Sequence, residues 1–243
     1  MRSRAISILL LVVALLAVAC GSAAPPATEG EVHDHDSHEH PELPPAAGEG
    51  QQTYAMVEGR AGFLRTPLID VSAAQFVDYS ETETGRAFVP VAREGELLLL
   101  FFGYLNCPDV CPTTLFDYGE AFDLLPAEIA DRVSLGMISV DGERDDGQEI
   151  VAYVLRFMDE GYGLLPTGED GLVTAADAFG VRYEIEDHED GSLQYAVGHT
   201  ATVFAIDDTG TIIWEFTYPT PASSLLIGAA YRAHRVPLRR RSV

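Results

Sequence analysis

Hydrophobic positions change rhythm several times along the chain. The stretch "ELLLLFFGY" at 96–104 is apolar without polar alternation and of strand length, the pattern of a central strand covered on both faces. In "TTLFDYGEAFDLL" at 113–125, Leu115, Phe116, Phe122 and Leu125 recur at spacings that place them on one helix face. "RVSLGMISVD" at 132–141 predicts a second buried strand and "GQEIVAYVLRFM" at 147–158 a second helix. "GLVTAADAFGV" at 171–181 predicts a third, shorter helix that runs into a strand at 182–185. Upstream, "AAQFVDYSETETGRAFVPV" at 73–91 predicts two short strands around a turn at 84–86. Downstream, "TATVFAIDDTGTIIWEF" at 200–216 alternates like a hairpin turning at 207–210, and "PASSLLIGAAYRAHRV" at 221–236 closes the pattern as a helix. This order predicts an α/β class, with a mixed central sheet flanked by helices and no internal repeat.

Both ends of the chain break the pattern. Residues 1–20, "MRSRAISILLLVVALLAVAC", set Arg2 and Arg4 before an apolar stretch too short for a comfortable membrane span and ending in small residues, which predicts an export signal. "LAVAC" followed by "GS" resembles a bacterial lipobox, with Ala17 where Leu is more usual. Lipidation of Cys20 is therefore expected, ahead of an uncleaved anchor or cleavage after Ala19. Residues 21–52 are rich in Pro, Ala, Gly and acid without apolar periodicity, so they cannot bury enough surface to offset ordering and read as a disordered tether. Within it, His33, His35, His38 and His40 alternate with Asp34, Asp36 and Glu39, a composition that fits either an auxiliary metal chelator or a solvated linker. The last residues, 237–243, form a short basic tail.

Composition narrows the function classes. The 243 residues hold 15 Lys+Arg, all of them Arg, against 38 Asp+Glu, a net charge of -23. Nucleic acid is excluded as a partner on that balance, because a phosphate backbone needs a basic footprint. There is no G-x-S-x-G, no Walker A and no H-E-x-x-H sequence.

The remaining chemistry centres on "FFGYLNCPDVCPTTL" at 101–115. Pro108 and Pro112 cannot lie deep in a helix, so the helix starts close to Cys111 and Cys107 sits in the loop leaving the central strand. Helix-terminal amides there stabilise a thiolate, so both sulfurs are expected to lie close together and to be more acidic than an ordinary cysteine. With Cys20 lipidated, Cys107 and Cys111 are the only thiols left to pair. They can cycle between dithiol and disulfide, or clasp a soft ion such as Cu(I) as thiolates. A two-sulfur copper site wants a third ligand. His188 lies in an acidic loop without an evident anchor and His234 near the charged end, whereas His199 immediately precedes a strong strand and is the one selected.

"FFGYLNCPDVCPTTL", "ISVDGERDD" and "GHTATVFAIDDTG", in this order, resemble the Sco/SenC family of thioredoxin-fold copper-handling proteins, which assemble the CuA centre of cytochrome c oxidase. The resemblance covers about residues 74–234 of a domain expected over 53–236, and implies a thioredoxin-like fold with Cys107 and Cys111 as thiolate ligands and His199 as the imidazole ligand. It implies copper as the bound metal, Cu(I) with Cu(II) left open, and a Cys107–Cys111 disulfide when oxidised. Asp109 and Asp141 also match the family pattern, against plain roles as a helix cap and a polar strand terminus. Leu105 and Asn106 replace the more usual Thr-His, Gly142 replaces Pro, and Gly198 replaces Asp. The missing acid at 198 predicts a His199 held less firmly.

Two functions follow from the resemblance. One is a metallochaperone that passes copper to subunit II of cytochrome c oxidase and depends on a thioredoxin-like thiol-reducing partner. The other is an enzyme, a thiol-disulfide oxidoreductase in which Cys107 and Cys111 are catalytic and His199 is dispensable. Either would work on the extracytoplasmic face of a bacterial cell membrane, held by a lipid anchor. A copper or redox sensor is a third reading on which the sequence is silent.

Overall fold

The fold is built outward from β6 (Leu97–Gly103), in which every residue is buried. The computed structural model describes residues 53–56, 62–168, 170–189 and 194–219. Successive β6 side chains point to opposite faces of the sheet. Leu97, Leu99 and Phe101 therefore enter one core, and Leu98, Leu100 and Phe102 enter the other. Its neighbours continue both cores. In β7 (Val133–Ser139), Val133, Leu135 and Met137 join the first and Ile138 the second. In β11 (Thr202–Ile206), Val203 and Ala205 join the first and Phe204 and Ile206 the second.

Helices close each face. α1 (Val110–Asp123) and α3 (Gly147–Val154) cover the first core with Leu115, Tyr118, Ile150 and Val154. α4 (Gly171–Phe179) covers the second with Ala175, Ala176 and Phe179. Asp146 caps α3 by accepting the amides of Gln148 and Glu149. The short α2 (Ala127–Ala130) leads into β7.

The sheet extends to either side of this centre. β6 runs parallel to β7, and β7 to β8 (Tyr162–Pro166), which matches crossovers made by α1 and α3. β11 is antiparallel to β6 and to β12 (Thr211–Thr217). Beyond β8 lie β4 (Phe76–Asp78) and the edge strand β5 (Arg86–Phe88). Beyond β12 lie β1 (Thr53–Met56) and β2 (Phe63–Thr66), with β3 (Ile69–Asp70) also paired to β12. A separate ribbon pairs β9 (Tyr183–Ile185) with β10 (Val197–His199).

The mixed sheet flanked by helices, the β4–β5 pair, the β11–β12 hairpin and the strand at 183–185 all match the sequence pattern. β8 was not expected. Its "YGLLP" is short and broken by glycine and proline, yet Gly163 is required there: a Cβ would stand 2.7 Å from the Val151 amide nitrogen of α3. The helix 147–158 is also shorter than its pattern, ending at Val154. The closing helix at 221–236, the leader, the tether, the basic tail, Cys20, His33, His35, His38, His40 and His234 lie outside the described residues. Among the described residues no helix is long and apolar enough to cross a membrane.

One expectation about α1 is corrected. Leu115 is fully buried, but Phe116 is 56% exposed. The buried face is set by Cys111, Thr114, Leu115 and Tyr118, and it includes polar types that an apolar count passes over. A Leu115→Ala protein is expected to lose about 2–5 kcal/mol of stability in denaturant unfolding. Phe116→Ser is expected to lose less than about 1 kcal/mol, as for a surface change.

Candidate metal centre

The carboxyl end of β6 delivers the site. Gly103 ends the strand without a side chain because a Cβ there would sit 2.9 Å from the Cys111 sulfur. The chain then turns, the Cys107 amide donating to the Tyr104 carbonyl at 3.2 Å, and α1 begins at Val110. Pro108 and Pro112 flank that start as their chemistry requires. Cys107 stands half-buried in the loop, and Cys111 lies fully buried in the first turn of the helix.

β10 brings the third donor. His199 ends this strand opposite Tyr183, with its Nε2 3.8 Å from the Cys111 sulfur. The ligand atoms of Cys107, Cys111 and His199 all lie within 4.8 Å of one another. An ion with bonds of roughly 2.0–2.3 Å spans such a set with little adjustment. The donors are two soft sulfurs and one imidazole, with no carboxylate among them, which favours a soft ion over Mg or Ca. Among the described residues this is the one group of three or more such ligands.

His199 is oriented despite Gly198. Its Nδ1 lies 3.2 Å from the Thr200 carbonyl oxygen, which can only accept. The proton therefore resides on Nδ1, and the Nε2 lone pair faces the sulfurs. The Tyr104 ring packs edge-on at 5.9 Å between centroids. The expectation of a loosely held imidazole is thus corrected: a main-chain oxygen supplies what a side chain at 198 does not.

The two thiols are not alike, which corrects the expectation that both would be acidic. Cys107 is pushed down to about 4, first by hydrogen bonding from the Cys111 thiol, with help from the amides of Cys111 and Asp109. Burial opposes this but does not win. The Cys111 amide lies 3.3 Å from the Cys107 sulfur, so the helix start serves the loop cysteine. Cys111 is held well above its ordinary value, because it donates to Cys107 and is buried. The pair therefore titrates as a unit, losing its first proton from Cys107 and keeping the second on Cys111.

The other singled-out residues find definite places. Asp109 precedes α1 but makes no side-chain cap hydrogen bond, so the capping role is not observed. Asp141 is no mere strand terminus: it is 1% exposed, accepts the Tyr195 hydroxyl at 2.6 Å and pairs with Arg144. The Arg144 guanidinium lies 3.5 Å from the Tyr195 ring centroid, and the His188 ring stacks on Tyr195 at 3.7 Å. His188 is also anchored by the Glu186 carbonyl and the Glu143 carboxylate at 2.8 and 2.9 Å. Its place is on Tyr195, outside the donor set, and not in an unanchored loop. Arg144, Tyr195 and Asp145 carried no signal in the sequence beyond Arg144 and Asp145 falling within "ISVDGERDD".

A thioredoxin-like domain with two thiols and an imidazole gathered at the end of its central strand is a metal-binding or thiol-exchange protein. The SCO1/SenC family model matches residues 76–230, and the chain belongs to that family. It is 31% identical over 163 residues to the human mitochondrial SCO1 homolog, covering 66% of this chain and 52% of that one. It is 29% identical over 135 residues to a SCO2-like protein of Rickettsia felis, covering 55% of this chain and 64% of that one. The matches thus span less than two thirds of either relative. The solved structure of apo Sco1 from Thermus thermophilus is 28% identical with a TM-score of 0.58, covering 71% of this chain and 95% of that one. Copper-bound ScoI of Bradyrhizobium japonicum is 28% identical with a TM-score of 0.54, covering 65% and 96%.

With the reduced protein, iodoacetamide is expected to modify Cys107 at pH 6, where it is ionised, and to leave Cys111 untouched. In Cys111→Ala the main donor to the Cys107 sulfur is gone. Its alkylation profile should then shift upward toward the ordinary value of 9.0, as read by mass spectrometry across pH.

Proposed function

We propose that this chain is a copper metallochaperone that receives Cu(I) on Cys107, Cys111 and His199 and passes it to subunit II of cytochrome c oxidase for the CuA centre. The observation that carries the reading is the convergence, among the described residues, of two soft sulfurs and one imidazole, with Cys107 the readily ionised sulfur. The copper-bound relative from Bradyrhizobium japonicum supports it at 28% identity. Copper is cargo here, so the site must bind and release. Cys107 and His199 are only half-buried and open to an incoming ligand, while Cys111 retains the ion from below.

The remaining parts of the reading follow from the sequence. Lipidated Cys20 holds the chain to the extracytoplasmic face of a bacterial membrane, and 21–52 gives the domain reach. His33, His35, His38 and His40 form an auxiliary metal site on that tether. Because Cu(I) needs reduced sulfurs outside the cytoplasm, a thioredoxin-like partner keeps the Cys107–Cys111 pair from closing as a disulfide. The thiol-disulfide oxidoreductase reading draws on the same Cys107 thiolate, but gives His199 no essential task.

The reduced full chain is expected to hold one Cu(I) tightly in competition with a chromogenic chelator. His199→Ala should weaken it by at least about 10–100-fold, the loss typical even of changes around a ligand. Replacing His33, His35, His38 and His40 by Ala should leave this tight ion in place and remove weaker binding. Weak copper binding indifferent to His199, with ready cycling of Cys107 and Cys111, would transfer the function to thiol exchange.

A further inference from the structure

The loop that follows β7 reaches both arms carrying the donors. Toward the histidine arm, Asp141 accepts the Tyr195 hydroxyl, and Arg144 donates to the Tyr195 carbonyl at 3.1 Å, two residues before β10 begins. Toward the cysteine arm, Asp145 accepts the Leu105 amide on its two carboxylate oxygens, at 3.2 and 3.3 Å. The Ser139 hydroxyl fixes that carboxylate with a 2.7 Å bond while accepting the Asp141 amide at 2.9 Å. Asp145 is 6% exposed, and burial raises it to about 6. A carboxylate in such a place is costly to keep unless its hydrogen bonds are made.

Leu105 lies two residues before Cys107, just past the end of β6 at Gly103 and inside the turn that the Cys107 amide closes on the Tyr104 carbonyl. Each peptide is planar, so fixing one amide there leaves few soft dihedrals between the anchor and the sulfur. We infer that Asp145 is a positioning residue for Cys107: through the Leu105 amide it holds the cysteine loop at the distance from His199 at which one ion reaches all three donors. The same loop holds the histidine arm through Asp141 and Tyr195, so 139–145 sets the span of the site from both sides.

The role asks for an acceptor, not for a charge. Asparagine at 145 keeps a carbonyl oxygen for Leu105, and its amide can donate to the Ser139 oxygen. Alanine keeps neither. As far as copper affinity is the readout, the inference rests on the proposed function, so a second readout without copper is needed.

The test compares the full-length wild type with Asp145→Ala, Asp145→Asn, Ser139→Ala and Asp78→Ala. Asp78 is a buried carboxylate on β4, three strands from β6, that holds Ser80 and Arg86; its loss controls for general destabilisation. Each protein is measured for Cu(I) affinity by chelator competition and for the pH profile of Cys107 alkylation. Asp145→Ala should bind Cu(I) about 10–100-fold more weakly and shift the Cys107 profile upward. Asp145→Asn should keep both near wild type, Ser139→Ala should fall between, and Asp78→Ala should lower Tm with neither readout moved. Wild-type values in Asp145→Ala would overturn the inference, as would Asp145→Asn matching its losses, because the charge would then be what matters. Should Asp145→Ala not fold, Ser139→Ala decides, with wild-type values counting against the role. A wild type that holds no copper would remove the proposed function, and the alkylation profiles alone would then decide the role of Asp145.

Discussion

Burial of β6 on both faces holds the rest of the molecule in register. Alternate side chains of Leu97–Phe102 feed two separate cores, and a one-residue slip would exchange them all. The flanking parallel and antiparallel strands are therefore fixed against β6, and so is the point at which the chain leaves the sheet. Each fully buried leucine contributes roughly 1.5–3 kcal/mol relative to exposure, so this strand and its partners outweigh any loop preference. The cysteines follow from that exit, since Gly103 leaves just enough room for the Cys111 sulfur to lie against the strand end.

Placing one sulfur beneath the other creates the electrostatic character of the site. Cys111 is enclosed by core residues such as Met137 and Leu115, where a second negative charge is disfavoured. Cys107 receives the Cys111 thiol and the helix-start amides. The pair thus offers one anionic sulfur at the surface and one neutral sulfur below it. A cation arriving at Cys107 would lower the cost of ionising Cys111, which links binding to release of the second proton.

Much of this was legible because strong local signals agreed with the tertiary outcome. The unbroken apolar run at 97–102, the prolines beside the cysteines and the turn before β12 each admit few conformations. His199 stood out as the histidine leading into a strong strand. What stayed hidden was decided by partners distant in sequence. Phe116 is exposed because Cys111 and Tyr118, not the apolar average, set the buried face of α1. β8 is a strand because Gly163 lets α3 lie against it, which no periodicity within "YGLLP" displays. Arg144, Tyr195 and His188 form their stack across separations of up to 51 residues, and Asp145 meets Leu105 across 40. The candidate donors Cys107, Cys111 and His199 were therefore readable, while most of the groups packed around them were not.

The orientation of His199 rests on an acceptor that belongs to the main chain. The residue bearing that oxygen is held through the amide of its preceding peptide, the Thr200 N–H, which donates to the Arg182 carbonyl at 2.9 Å across the ribbon. Any residue at 200 brings the same carbonyl, while the Thr200 hydroxyl adds bonds to the Arg182 amide and carbonyl that hold it to the ribbon. An orienting carboxylate would be lost in a single codon change; a carbonyl fixed by strand pairing is lost only if the ribbon itself comes apart. The placement of this candidate nitrogen donor thus depends more on the pairing of β9 with β10 than on the identity of one orienting side chain, and substitutions that weaken that ribbon will be felt at the three candidate donors.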